Sequence, residues 1–162
     1  MPSPRGGIPP AEAGPHGFRF LFRTDRGVID RATWWRGTVP LAVIGALAEL
    51  GWVLVRPFVQ HGLEQPPLAV LGAYLYLLAF SFGLLVLLVC EYNLSAKRFA
   101  ARGQPRALAG ILPLSLLCGG AFAWVLPRSQ GTIPDWTGTL AILAVAAVVV
   151  WNIVALGIRA PR

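Results

Sequence analysis

Residues 68–103 read LAVLGAYLYLLAFSFGLLVLLVCEYNLSAKRFAARG. The first 23 of them, through Cys90, carry no charge. A run of that length matches the roughly 20 residues an α-helix needs to cross the ~30 Å hydrocarbon core of a bilayer. It does not alternate and is too long for a barrel strand. In hydrocarbon, a spanning element must also satisfy its own backbone groups, which selects a helix. The helical pattern continues past Cys90. Glu91, Ser95, Arg98 and Arg102 recur at helical spacing as a polar stripe, and Tyr92, Ala96 and Phe99 form a facing apolar one. No breaker intervenes before Gly103 and Pro105, so the stretch predicts one long helix that leaves the membrane, extends to about residue 102 and stops at Gly103.

Three further runs of spanning length lie at 39–58, 108–126 and 139–158, which with 68–90 predicts an all-α integral membrane protein with four transmembrane helices. Composition agrees. The 162 residues are 56% hydrophobic and 13% charged, where a soluble chain averages about 45–50% and about 25%. The mean hydropathy is +0.63. These values exclude a water-soluble enzyme domain and a disordered regulator. Cys90 and Cys118 have neither metal spacing nor the density of a disulfide framework, so both read as packing residues. A signal peptide would need cleavage near Ala46-Leu47-Ala48, but the apolar run continues through Val55 and reads as an anchor.

The net charge of +7 is distributed as a topology signal rather than as a nucleic-acid surface. Twelve of the 14 basic residues fall before the first span, between the second and third, or after the fourth; only Arg56 and Arg128 fall on the other side. The positive-inside rule then places both termini and the middle loop in the cytoplasm. Residues 1–16 are rich in Pro and Gly and read as a disordered tail. Residues 17–38 read as an interfacial arm, in which Phe18, Phe20 and Phe22 alternate with Arg19, Leu21 and Arg23 as a short strand or surface-lying segment. Asp30 is placed to cap a brief interfacial helix through Arg36, with Trp34 and Trp35 as anchors at headgroup depth. Residues 39–158 are the four-helix transmembrane domain and 159–162 a cytoplasmic end.

Gly27-Val28-Ile29-Asp30-Arg31-Ala32-Thr33-Trp34-Trp35 resembles the signature G-R-I-x-R-x-x-F-W that precedes the first helix in a family of small bacterial inner-membrane proteins, catalogued as domain of unknown function 805. Lys97-Arg98-Phe99-Ala100-Ala101-Arg102-Gly103 is similar to that family's K/R-R-L-H-D-x-G at the end of helix two, and Ile111-Leu112-Pro113-Leu114 sits at its apolar-Pro-apolar step. Three positions depart: Val28 stands where an Arg is usual, and Ala100-Ala101 replace the His-Asp pair. The resemblance implies location in the bacterial cytoplasmic membrane and a four-helix fold, and it implies no reaction.

Glu49 is the sharpest single feature, because an ionised carboxylate near the middle of a span costs at least a few kcal/mol. It reads either as a proton- or cation-coupled site or as a hydrogen-bonded packing residue. By residue count Ser81 lies at similar depth and Asn152 about one turn nearer the cytoplasm, so either could partner it. Gly45-Ala46-Leu47-Ala48-Glu49-Leu50-Gly51 is similar to the first-helix acidic motif of small multidrug resistance transporters, over that stretch alone. Arg31, Arg36, Lys97, Arg98, Arg102 and Arg106 read either as topology determinants or as a cytoplasmic surface for anionic headgroups or a partner protein, each charge worth about 1 kcal/mol near an anionic surface. Ala42, Ala46, Ser115, Gly119 and Ala123 permit close helix approach, within one chain or in a homo-oligomer. Pro113 reads as a kink in helix three. His16 and His61 have no ligand partners at useful spacing, so neither metal nor cofactor is expected. With no nucleophile, phosphate-loop or zinc motif, the expectation is a non-enzymatic scaffold or accessory subunit, with a Glu49-based ion-coupled transporter as the alternative.

Overall fold

The computed structural model describes residues 17–60, 65–126, 132–134 and 136–158. The tail 1–16, both histidines, Arg128 and the end 159–162 lie outside the described residues. In chain order, α1 is Phe18–Phe22, α2 Arg31–Gln60, α3 Pro67–Ala100, α4 Ile111–Val125 and α5 Trp136–Asn152. A 3-10 segment, Arg106–Gly110, leads into α4, and α5 continues as a π-helical segment, Ile153–Ile158. Four of these units are long and apolar enough to cross a membrane, so the fold is all-α with four spans. α2 and α3 pack as one hairpin, α4 and α5 as a second.

The second span is the long helix its pattern predicts. Its 34 residues reach about 51 Å at about 1.5 Å each, some 20 Å more than a ~30 Å hydrocarbon core. It ends where expected. Gly103 adopts a left-handed φ of +66°, and the Gln104 amide returns to the Phe99 carbonyl at 3.0 Å, a closure that favours glycine.

The first span differs from its expected limits. Rather than a brief interfacial helix followed by a separate span, α2 runs unbroken from Arg31 through Pro40 to Gln60. Gly37 sits at the join, flat against α3: a Cβ there would come within 2.7 Å of a Leu94 methyl. The Phe18–Phe22 stretch is one short helix, not a strand, with the Phe18 and Phe22 rings in tilted contact at 5.1 Å. Pro113 needs no kink in the third span. It lies in the first turn of α4, where its missing N–H removes no helical hydrogen bond.

Buried apolar residues gather almost entirely at one end of the bundle. Ile29, Trp34, Leu94, Ala96, Phe99, Ala109, Ala155 and Leu156 form a single cluster there, with α1 packed against it. α4 buries none of its residues. At the opposite end Trp52 spans the two hairpins, its ring 6.0 Å from Phe80 on α3 and 5.9 Å from Trp124 on α4.

Candidate functional site

The last turns of α3 are the hub of the capped end. From Glu91 to Phe99 every residue except Tyr92 is buried, although the segment holds a Glu, an Asn, a Ser, a Lys and an Arg. A helix can be this polar and this buried only when its side chains find partners, and here most of the partners are the loose carbonyls of neighbouring helix ends. The last carbonyls of a helix have no acceptor role inside it and attract cations through the helix dipole.

Two segments are tied down in this way. Lys97 Nζ donates to the carbonyls of Phe20 and Leu21, the latter at 2.8 Å, and lies 4.8 Å from the centre of the Phe20 ring. Asn93 Nδ2 donates to the Phe22 carbonyl at 2.7 Å, so two side chains of α3 close the end of α1. Arg98 Nε donates to the Leu156 carbonyl at 3.1 Å, and Arg102 Nη1 donates to that of Ala155. Ala155 and Leu156 lie in the closing turn of the π-helical segment Ile153–Ile158, among the last carbonyls of a helix, which are left for the arginines. On the α2 side Ser95 Oγ accepts from the Trp34 indole N–H at 3.3 Å and donates to Glu91 Oε1 at 2.7 Å, while Thr38 Oγ1 donates to Glu91 Oε2 at 3.3 Å.

Two expectations are corrected here. Trp34 does not face lipid headgroups. Trp34 is fully buried in the cap and half-buried Trp35 donates its indole N–H to the Gly157 carbonyl at 3.3 Å, because unbroken helicity of α2 turns both rings inward. Gly157 is pressed under them; a Cβ there would meet Trp35 at 2.6 Å. Likewise Lys97 and Arg98 are not part of an outward basic surface. They are 0% and 2% exposed, since the carbonyls they serve close over them. Of the predicted cluster, Arg31, Arg36 and Arg106 are exposed and Arg102 is half-buried.

The loop before α2 is shaped by Gly27 and Asp30. Gly27 has φ +98°, and a Cβ on it would lie 2.8 Å from the Phe20 ring, so glycine is required twice over. Asp30 caps α2 as expected, its Oδ1 accepting from the Thr33 amide at 3.0 Å. The Thr33 hydroxyl and amide together hold the Asp30 carboxyl below its usual value. Beside this cap lies a hollow of about 670 Å³ whose lining includes Val28, Arg31, Arg98 and Ala101. Val28 and Ala101 are two of the three positions that depart from the signature described above.

Between the two hairpins an apolar cleft of about 860 Å³ runs through the membrane section. Glu49 and Arg56 line it toward the uncapped end, and Thr38, Glu91 and Asn152 toward the cap. The structure does not bring the predicted trio together. Ser81 is on an exposed face and donates back to the Leu77 carbonyl at 2.8 Å. Asn152 lines the cleft, 2% exposed, with its Nδ2 unpartnered, and among the described residues no hydrogen bond joins it to Glu49. Ala42, Ala46, Gly119 and Ala123 all line the cleft wall, and Gly119 also meets Val145 of α5, where a Cβ would come within 2.8 Å. Among the described residues no group of His, Cys, Asp or Glu is disposed to hold a metal ion.

Comparison with known proteins returns no match, whether to a family model, a curated protein or a solved structure.

Proposed function

We propose that the protein is a non-enzymatic scaffold or accessory subunit of the bacterial cytoplasmic membrane, threaded with both ends inside and working through its capped end. The observation that carries this reading is the division of labour among the cations. The inner ones, Lys97 and Arg98, donate to backbone carbonyls and tie the cap together, while Arg31, Arg36 and Arg106 stand on its outside. Exposed guanidinium groups on a fixed base suit anionic headgroups or an acidic partner, which they bind with little further ordering. The kinship with the domain-805 family belongs to the same proposal. It is supported by the structural duties of Gly27, Arg98 and Gly103, three of the residues that carry the resemblance.

The test is recovery of bound anionic phospholipid and cross-linked partner from the membrane. At about 1 kcal/mol per charge, the double variant Arg36→Ala/Arg106→Ala is expected to lower recovery by roughly thirtyfold while the protein melts as wild type. Unchanged recovery would overturn the reading.

A second reading, an ion- or proton-coupled transporter, is favoured by one observation: Glu49 and Arg56 both line a cleft that passes between the hairpins. It requires that Glu49→Gln abolish a flux measured in proteoliposomes and that Arg36→Ala/Arg106→Ala leave that flux intact. The scaffold reading requires Glu49→Gln to behave as wild type in the recovery assay.

A further inference from the structure

The hollow beside the start of α2 combines features that single it out among the surfaces of the cap. It has a volume of about 670 Å³ and is floored by the first turn of a 30-residue helix, whose N-terminus carries partial positive charge. Arg31 and Arg98 both line it. Arg98 is 2% exposed; its Nε is used by Leu156, but its Nη2 is buried without any hydrogen-bond partner. Arg102 is within electrostatic range of the same guanidinium. Asp30 also lines the hollow and attracts the Arg98 guanidinium, with its Oδ1 engaged by the Thr33 amide. A buried N–H of a charged group left without an acceptor is destabilising, and an anion in the hollow would supply that acceptor.

We propose that this hollow is a phosphate-binding site, in which the Arg98 guanidinium, the Arg31 side chain and the N-terminal turn of α2 receive a phosphate group. The proposal rests on the basic-cap reading and names the chemistry of its ligand. Convergence of donors from two side chains and a helix terminus suits an anion with three or more oxygens better than a carboxylate, and the planar guanidinium fork matches phosphate geometry. Two sources present that group: a soluble phosphate ester and a phospholipid headgroup. The length of α2 bears on the choice. Thirty residues span about 45 Å, so if the far end of the helix meets one boundary of a ~30 Å core, the hollow stands about 15 Å beyond the other. That is above the layer where lipid phosphates lie, and it favours the soluble source.

The experiment titrates inorganic phosphate into the full-length protein in phosphatidylcholine nanodiscs. The readout is the nuclear magnetic resonance shifts of the Arg31 and Ala32 amides and the Arg98 Nε–H. A second arm replaces part of the phosphatidylcholine with phosphatidylglycerol and adds no phosphate. Saturable shifts in the first arm identify a soluble source, and the same shifts in the second arm alone identify a lipid one; both uphold the site. Val28 is an exposed residue on the hollow's lining, so it can be changed without disturbing the cap. Val28→Glu is expected to weaken binding by roughly tenfold and Val28→Arg to tighten it by a similar factor. Arg98→Lys, which keeps the charge but loses the fork, is also expected to weaken it. No shift in either arm, or shifts that Val28→Glu leaves unchanged, would overturn the proposal. The Arg36→Ala/Arg106→Ala variant lies outside the hollow and is expected to titrate as wild type. A failed titration beside an intact loss of lipid or partner recovery in that variant would therefore sink the phosphate site and leave the scaffold reading standing.

Discussion

Between Pro67 and Cys90, α3 buries only Ala73 and Leu88; between Glu91 and Phe99 the same helix buries every residue but one. The first stretch is almost wholly apolar and loosely surrounded, the second is crowded with polar groups and fully enclosed. The inversion follows from the solvent each stretch meets. Lipid tails are as apolar as leucine, so burying Leu against Leu gains little there and the hairpins stay apart around a cleft. Where α2 and α3 outrun the bilayer, water restores the hydrophobic drive, and the chain builds its compact core around Trp34, Leu94 and Phe99. The polar residues of the cap then serve as connectors, each closing the open end of another helix.

Loss of Trp34 would break that contrast most severely. The ring is fully buried and holds Ser95 through its indole N–H, so Trp34→Ala should cost about 3–5 kcal/mol. Hydrogen exchange in detergent or nanodiscs is the measurement. Amides of the cap, including 94–99 and 155–157, are expected to exchange far faster, while those in the middle of the spans keep wild-type protection. Equal acceleration in both regions would mean that the cap and the membrane section are one cooperative unit.

A matched pair of glycines sharpens the same comparison at smaller scale. Both Gly37 and Gly45 lie inside α2, where replacing glycine by alanine gains about 1 kcal/mol of helix propensity. At Gly45 the new methyl would have only Leu87, at 4.0 Å, within reach, so Gly45→Ala should stabilise by about that amount. At Gly37 it would press on two Leu94 methyls at 2.7 and 3.0 Å, and overpacking of about 1–3 kcal/mol should reverse the sign. Urea or thermal melts of the two variants decide the matter, and two stabilised proteins would show the cap to be more yielding than its packing implies.

The spans, the overhang of α3 and its glycine stop were legible in the sequence because each rests on a local signal: run length, helical spacing, and a breaker. The cap was not. Trp34, Trp35, Lys97 and Arg98 carry the residue types of a membrane interface, and base rates favour that reading. The inward placement of Trp35, Lys97 and Arg98 depends on carbonyls of Phe20, Leu21, Leu156 and Gly157, residues 58 to 122 positions away in sequence. Backbone acceptors leave no trace in residue identity, so no pattern in one sequence marks them. The π winding of Ile153–Ile158 is equally silent. One clue was available: a helix stripe holding Glu91, Ser95 and Arg98 beside Leu94 and Phe99 has no plainly solvent-facing side. Glu49 lies within the first span and lines the cleft, but Ser81, inferred as a partner from depth, bonds back to its own helix, since depth says nothing of helix rotation.

The smallest expected effect concerns acid, and it tests whether the cap responds to the protonation of its own helix-capping carboxylate. The Thr33 hydroxyl and amide lower the Asp30 carboxyl from its ordinary value of 3.8, so the folded protein keeps this group ionised to lower pH than the unfolded chain does. Its contribution is therefore complete above the unfolded value and is lost as pH falls through the folded one. Asp30 is exposed, so water screens the interaction and the loss should be slight. Exchange protection of the first-turn amides of α2 should fall modestly between about pH 6 and about pH 3, after correction for intrinsic exchange. Asp30→Asn supplies a cap that does not titrate, since an amide oxygen also accepts from the N3 amide. In that variant the fall should disappear. A slope that survives the substitution would assign the acid response to other carboxylates, and the link between Asp30 and the start of α2 would then be geometric only.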